Sequence, residues 1–292
     1  MKKLNAMMMN AISDVILHDA GCIQKETVLE FMDLFQMSEK EAVLELLAAN
    51  LGFDFVEHPE HRALFHRVFG QNFELLDSSI INDDEYMKCI RKKKMKYGAF
   101  QMEWLEFKPY ELMFIDDVQT EQDGVLRISV GCFRESVSYP MLFENGVEWM
   151  SVVPSEINTM RPCLEKMHGK ILVLGLGMGY FVYHASQKKD VKNICAIEIS
   201  KDLIEWFQSE VMNEFEQKEK IQLIHMDALQ ALETLDLNEF DCVFADIWHN
   251  GLDGAKWVKQ FEPVLKKYPH ITWVNWLNSS IESILLDDEE NS

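Results

Sequence analysis

Positive charge is scarce in this chain of 292 residues: 28 lysines and arginines stand against 49 aspartates and glutamates, a formal net charge of −21. Such a field repels phosphate backbones, which argues against nucleic acid as the main partner. Paired cysteines are also missing. Cys22, Cys89, Cys132, Cys163, Cys195 and Cys242 stand singly, with no CxxC spacing. That argues against a disulfide framework and a zinc site, and it suits a reducing cytoplasm. No run approaches the roughly 18 uninterrupted apolar residues of a membrane span. The start, "MKKLNAMMMNAISDVILHDAG", has a basic opening but meets Asp14 and His18 too soon to read as a signal peptide. Neither an internal repeat nor a low-complexity linker is visible. The hydrophobic share of 48% and charged share of 26% are ordinary for a soluble globular protein. The length suffices for one large domain and a smaller one.

Three regions differ in texture. Residues 1–80 read as helices. "MSEKEAVLELLAANLG" carries Ser38 as N-cap with Glu41 three residues on, a capping box. Val43, Leu44, Leu47 and Leu51 recur at helical spacing before Gly52. The preceding "KETVLEFMDLF" repeats the pattern, but its exposed positions are mostly glutamate. A packing or dimerisation module fits better than a DNA-reading one, which leaves room for a homodimer. Residues 81–152 hold aromatic and β-branched runs separated by turn signals, with Asn145-Gly146 as a two-residue hairpin turn. A small antiparallel β region is expected there. The basic cluster "RKKKMK" at 91–96 reads as a solvated face. From 153 to 292, strand-like runs ("KILVLGL", "NICAIEI", "IQLIHMD", "DCVFADI", "ITWVNWL") alternate with helical stretches. That alternation indicates βαβ units and a parallel sheet covered on both faces. After the last strand, "NSSIESILLDDEENS" reads as a short helix and a disordered acidic tail.

Ligands of open α/β sheets bind beyond the carboxyl ends of the strands. In "ILVLGLGMGYF", at 171–181, the first strand breaks into Gly175, Gly177 and Gly179. Glycine there gives up packing, so something requires a bare backbone: a ligand, or a helix start pressed against the strand end. The second strand ends in Glu198, the third in Asp227-Ala228, the fourth in "DIWHN" from Asp246 to Asn250. A dinucleotide fingerprint needs G-x-G-x-x-G, and here the third glycine comes one residue early. Three carboxylates suit a ligand with hydroxyls, an amine and a positive centre better than two phosphates.

These residues resemble the class I S-adenosylmethionine-dependent methyltransferases, and within them the branch similar to spermidine synthase. The resemblance covers 155–276. It implies an α/β, Rossmann-like parallel sheet with helices on both faces, preceded by the helical region and the small antiparallel β region. It also implies S-adenosylmethionine as cofactor. By position, Gly175, Gly177 and Gly179 would wrap its methionine part, Glu198 would hold the ribose, Asp227 and Ala228 would contact adenine, and Asp246 would face the reacting end. Val173 stands where many methyltransferases carry an acid. Pro154-Ser155-Glu156 stands near the offset of a Tyr-Gln-Glu in polyamine synthases, sharing only the glutamate, so Ser155 and Glu156 are candidate substrate contacts. That family's "DSSDP"-like segment is here "DIWHN". The antiparallel strand pair that normally ends the fold has no counterpart, which leaves a sheet edge for the N-terminal region or a partner to cover.

Each candidate has a plainer alternative. Glu198 and Asp227 could simply cap the helices that follow them. Asp246 and His249 are the catalytic candidates, with a locally bonded loop histidine as the other reading of His249. Trp248 could stack on a substrate or shield the site. The trio His58, His61 and His66 is read as non-metal, and the Met-rich start, Trp273 and Trp276 as core. The expected function is methyl transfer to a small-molecule or protein acceptor. The alternatives are aminopropyl transfer and a non-catalytic binding protein that retains the pocket.

Overall fold

The computed structural model describes residues 23–53, 55, 57, 59–66, 69, 72–91, 93–120 and 126–290. The Met-rich start, Cys22 and His58 lie outside them. The described chain forms two compact units, each made of two separated segments: residues 1–82 with 106–139, and 83–105 with 140–292.

In the first unit, helices Lys25–Phe35, Glu39–Asn50 and Pro59–Phe65 bury Val28, Val43, Leu47 and Phe65. The capping box forms as expected, with the Ser38 hydroxyl accepting the Glu41 N–H and the Glu41 carboxylate accepting the Ser38 N–H. One segment expected to be helical is not. Phe73–Leu76 is a strand, paired in parallel with Val130–Phe133, which also pairs antiparallel with Met113–Phe114. Four residues are too few for periodicity to distinguish a strand from a helix, and the partner lies far along the chain.

The second unit holds a five-stranded sheet, every pairing parallel, here numbered β1 (Gly169–Leu174), β2 (Val191–Glu198), β3 (Ile221–His225), β4 (Cys242–Ala245) and β5 (Thr272–Asn275). Its order is β3-β2-β1-β4-β5. Helices α1 (Pro154–Lys166), α2 (Tyr180–Gln187), α3 (Lys201–Trp206), α4 (Ala228–Thr234), α5 (Gly251–Leu265) and α6 (Asn278–Glu290) flank the strands. The alternation of strand and helix is the one expected, and the architecture is a Rossmann-like α/β fold. Central strands are apolar on both faces because both are covered: Ile171, Leu172, Val173 and Leu174 are fully buried. Register aligns the strand ends. Leu174 sits opposite Ile197 on one side and Ala245 on the other, so Gly175, Glu198 and Asp246 emerge at one edge.

A four-stranded sheet, in the order Met95–Tyr97, Phe100–Phe107, Val137–Glu144, Val147–Ser151, precedes this one. Met95–Tyr97 pairs with Phe100–Phe107, and Val137–Glu144 with Val147–Ser151. The turn of the second pair is Asn145-Gly146, both at positive φ (52° and 79°), the conformation a two-residue hairpin requires. Of the basic cluster, Lys93 forms an ion pair with Glu214 at 3.5 Å.

The acidic tail is the other departure. Helix α6 continues through Asp287 to Glu290, because Ile281 is buried and Ile284 and Leu285 pack beside it, an i, i+3, i+4 stripe that holds the helix to the core. No strand pairs beyond β5 among the described residues. None of the described helices is long and apolar enough to cross a membrane. The described cysteines are free thiols. Among the described residues no group of three or more His, Cys, Asp or Glu side chains could hold a metal ion.

Candidate functional site

The three loop glycines all adopt positive φ: 97° at Gly175, 53° at Gly177 and 86° at Gly179. Space is as restrictive as conformation. A Cβ on Gly175 would lie 2.0 Å from the backbone oxygen of Asp246, and one on Gly179 would lie 2.1 Å from the Phe207 ring. Phe207 opens the π-helical turn Phe207–Val211 that continues α3, and its ring is fully buried. A Cβ on Gly177 would lie 2.2 Å from the Met150 sulfur, the far end of a flexible side chain. The bare backbone therefore lets the loop close on its own chain, at the end of β4, at α3 and at the hairpin strand Val147–Ser151.

Glu198 ends β2 and is 8% exposed. One carboxylate oxygen accepts the Leu176 N–H of the glycine loop at 3.1 Å, and the other accepts the Ser200 N–H at 2.8 Å. Burial raises its pKa, while the N–H groups of Ser200, Leu176 and Ile199 pull it back. Asp227 caps α4, its Oδ1 accepting the Gln230 N–H at 3.1 Å. The capping role is therefore real, and Asp227 and Ala228 also line the cavity described next.

At the carboxyl ends of the strands lies a cavity of about 230 Å³, just below the usual range of ligand-sized pockets (roughly 300–1,000 Å³). Gly175, Gly177, Glu198, Asp227, Ala228, Asp246, Trp248, His249 and Glu156 all line it. Gly179 and Ser155 do not. Gly179 caps α2, and the Ser155 carbonyl accepts the Thr159 hydroxyl at 2.8 Å. Trp248 is 5% exposed, with its indole against Gly254 of α5. Its indole N–H has no hydrogen-bond partner among the described residues. The His249 ring meets Trp149 edge-on, with centroids 4.6 Å apart.

Two carboxyls set the electrostatics. Glu156 accepts the backbone N–H and hydroxyl of Ser151, at 3.0 and 2.8 Å. Burial still pushes it up to about 7. Asp246 lines the cavity and is half-buried; its partial desolvation, reinforced by the nearby Glu156 charge, pushes it up to about 8. The rest of the wall is apolar, with Tyr180, Phe181, Phe244, Trp257 and Trp276 beside aliphatic residues such as Ile197, Ile247 and Met226, and the described lining contains no lysine or arginine. Acids enclosed without a cationic side chain hold protons or meet a positive ligand, and aromatic faces also favour cations.

Sequence reasoning missed the hairpin's contribution, Trp149 and Met150, because nothing local shows which strand of the antiparallel region reaches the glycine loop. The Met150 sulfur accepts the Met178 N–H at 2.9 Å. Trp276, read as core, lines the cavity as well, and its N–H reaches the Thr159 hydroxyl at 2.9 Å.

A scan of family models gave no match to this chain, and a search of curated proteins gave none either. Among solved structures it is similar to a conserved hypothetical protein from Streptococcus pyogenes, at 16% identity and a TM-score of 0.29, over 36% of this chain and 62% of that one. It is also similar to a spermidine synthase from Thermotoga maritima, at 12% identity and a TM-score of 0.36, over 62% of this chain and 54% of that one. The match thus spans less than two thirds of either structure's length. At these values neither likeness says anything of this chain's activity.

Proposed function

We propose that the second unit binds a sulfonium nucleoside of the S-adenosylmethionine type in the cytoplasm and transfers an alkyl group from it. Methyl transfer to a small-molecule or protein acceptor is the leading reading. The observation that carries it is the cavity at the strand ends, lined by aromatic and aliphatic side chains, with Glu156, Glu198, Asp227 and Asp246 in its lining and no lysine or arginine among the described residues there. In this reading Glu198 accepts ribose hydroxyls through lone pairs its backbone bonds leave free, and Asp227 with Ala228 meets adenine. Asp246 faces the cationic end. Gly175 and Gly177 border the methionine part, while Gly179 acts through the start of α2. Glu156 and Trp248 border the acceptor, with Ser155 behind them. The acceptor atom forms a bond to the methyl carbon as the carbon–sulfur bond breaks, its electron pair going to sulfur. The enzyme's task is to hold the two in line and remove the acceptor's proton, which falls to His249.

Aminopropyl transfer is the second reading, and a specific observation favours it. An α-carboxylate on the donor would find no lysine or arginine in the described lining, whereas an amine would find Glu156 and Asp246. A thermal-shift panel separates the readings. A ligand at 100 times its Kd stabilises the fold by about 2.7 kcal/mol. Shifts are expected with S-adenosylmethionine and S-adenosylhomocysteine. A shift with decarboxylated S-adenosylmethionine alone selects the second reading, and a shift only with a dinucleotide refutes both.

A further inference from the structure

Two side chains outside the cavity brace its glycine loop: Tyr86 ends on the loop itself and Asp84 on Tyr180, the first residue of the helix that follows. Asp84 caps the short helix Glu85–Ile90, its Oδ1 accepting the Tyr86 N–H at 2.8 Å. Tyr86, fully buried, donates its hydroxyl to the Met178 carbonyl at 2.6 Å. Met178 stands between Gly177 and Gly179. The other Asp84 oxygen accepts the Tyr180 hydroxyl at 3.0 Å, and His184 Nε2 lies 3.2 Å from Oδ1. Tyr180 begins α2 and lines the cavity; Asp84 and Tyr86 do not.

Helix α2 does not need these bonds, since its own backbone ladder and Gly179 already start it. The loop does. Three left-handed glycines in five residues form the backbone that loses most freedom on ordering, and a buried carbonyl held by a fixed phenol removes much of that freedom. The carboxylate of Asp84 in turn fixes the Tyr180 ring as a wall of the site.

We propose that Asp84 and Tyr86 are positioning residues: they hold the glycine loop and the Tyr180 ring in ligand-ready geometry, so affinity depends on side chains that touch no ligand. The identity of the ligand rests on the function proposed above; the hold on the loop does not. Tyr86 also belongs to an aromatic cluster, with ring centroids 5.3 Å from Tyr180 and 5.7 Å from Tyr183, so a purely packing role is the alternative.

Tyr86→Phe removes one oxygen and keeps the ring. Tyr183→Phe does the same to a cluster member whose hydroxyl makes no hydrogen bond among the described residues. Two readouts are taken: calorimetric Kd for S-adenosylhomocysteine, and hydrogen exchange of the amides at 175–181 without ligand. Tyr86→Phe should weaken Kd roughly tenfold, the scale of one buried hydrogen bond, and speed exchange in the loop. Tyr183→Phe should change neither. Unchanged Kd and exchange in Tyr86→Phe overturn the proposal, as does an equal effect of Tyr183→Phe, which would leave packing as the cause. If the wild type does not bind S-adenosylhomocysteine, the methyl-transfer reading fails and loop exchange alone decides the inference. Should Tyr86→Phe not fold, Asp84→Asn, which keeps an acceptor for the cap, is judged by the same two outcomes.

Discussion

Replacing Glu198 by glutamine tests whether this carboxylate latches the loop, holds a ligand, or does both. Its two oxygens accept the N–H groups of Leu176 and Ser200 at 3.1 and 2.8 Å, and the residue is 8% exposed. Glutamine keeps one acceptor and points an amide N–H₂ at the other donor, leaving one buried N–H unsatisfied. That costs about 1–3 kcal/mol, and alanine, which frees both donors, about twice as much. For a unit of this size, about 2–4 °C of melting temperature corresponds to each kcal/mol. Scanning fluorimetry without ligand should therefore show a fall of roughly 2–12 °C for Glu198→Gln. Calorimetry on the same variant reads the second role: loss of ribose bonds to a charged group should weaken S-adenosylhomocysteine binding about tenfold or more. An unchanged melting temperature refutes the latch. A lowered one with unchanged affinity keeps the latch and removes the ribose role.

The remaining predictions concern Asp246 and His249. Folded, Asp246 and Glu156 keep their protons up to about 8 and about 7, against 3.8 and 4.5 for the same groups in an unfolded chain. The native state binds more protons than the unfolded chain in between, so this stability is complete below pH ~4 and is lost as pH rises through 7 and 8. Urea midpoints should fall from pH 5 to pH 9, with a shallower fall in Asp246→Asn; equal slopes would refute the shifted carboxyl. His249→Ala should lower turnover roughly a hundredfold while donor Kd stays put; unchanged turnover would leave the ring as part of the cavity wall only.

The parallel sheet was legible because its strands are near-continuous apolar runs of strand length, bounded by turn residues and separated by helical stretches. "KILVLGL" became β1 and "NICAIEI" most of β2, within the residue or two by which such boundaries drift. What escaped was non-local or set by packing. The Phe73–Leu76 strand exists because Val130–Phe133 lies alongside it. The helical run from Asp287 to Glu290 is held by apolar residues before it, against the expectation from its charge. Each compact unit is assembled from two segments, and local texture along a chain carries no sign of which segments join.

The strand-end acids could be found from sequence for a simple reason: in a parallel sheet, the residue that ends each apolar run ends at the same edge. Glu198, Asp227 and Asp246 follow that rule and line one cavity. No such rule places Trp149, Met150, Asp84 or Tyr86, whose positions depend on where a hairpin and a short helix settle. The glycines teach the sharper lesson. A bare backbone at 175–179 pointed to a ligand, yet the atoms a Cβ would strike belong to Asp246, Met150 and Phe207 of the chain itself. A glycine pattern explained by internal closeness carries little information about what binds. The proposed chemistry rests instead on Asp246, which makes no side-chain hydrogen bond to a described residue and sits half-buried near Glu156. A carboxyl in that position must keep its proton or meet a positive centre, and a sulfonium or an ammonium is the kind of centre that would displace it.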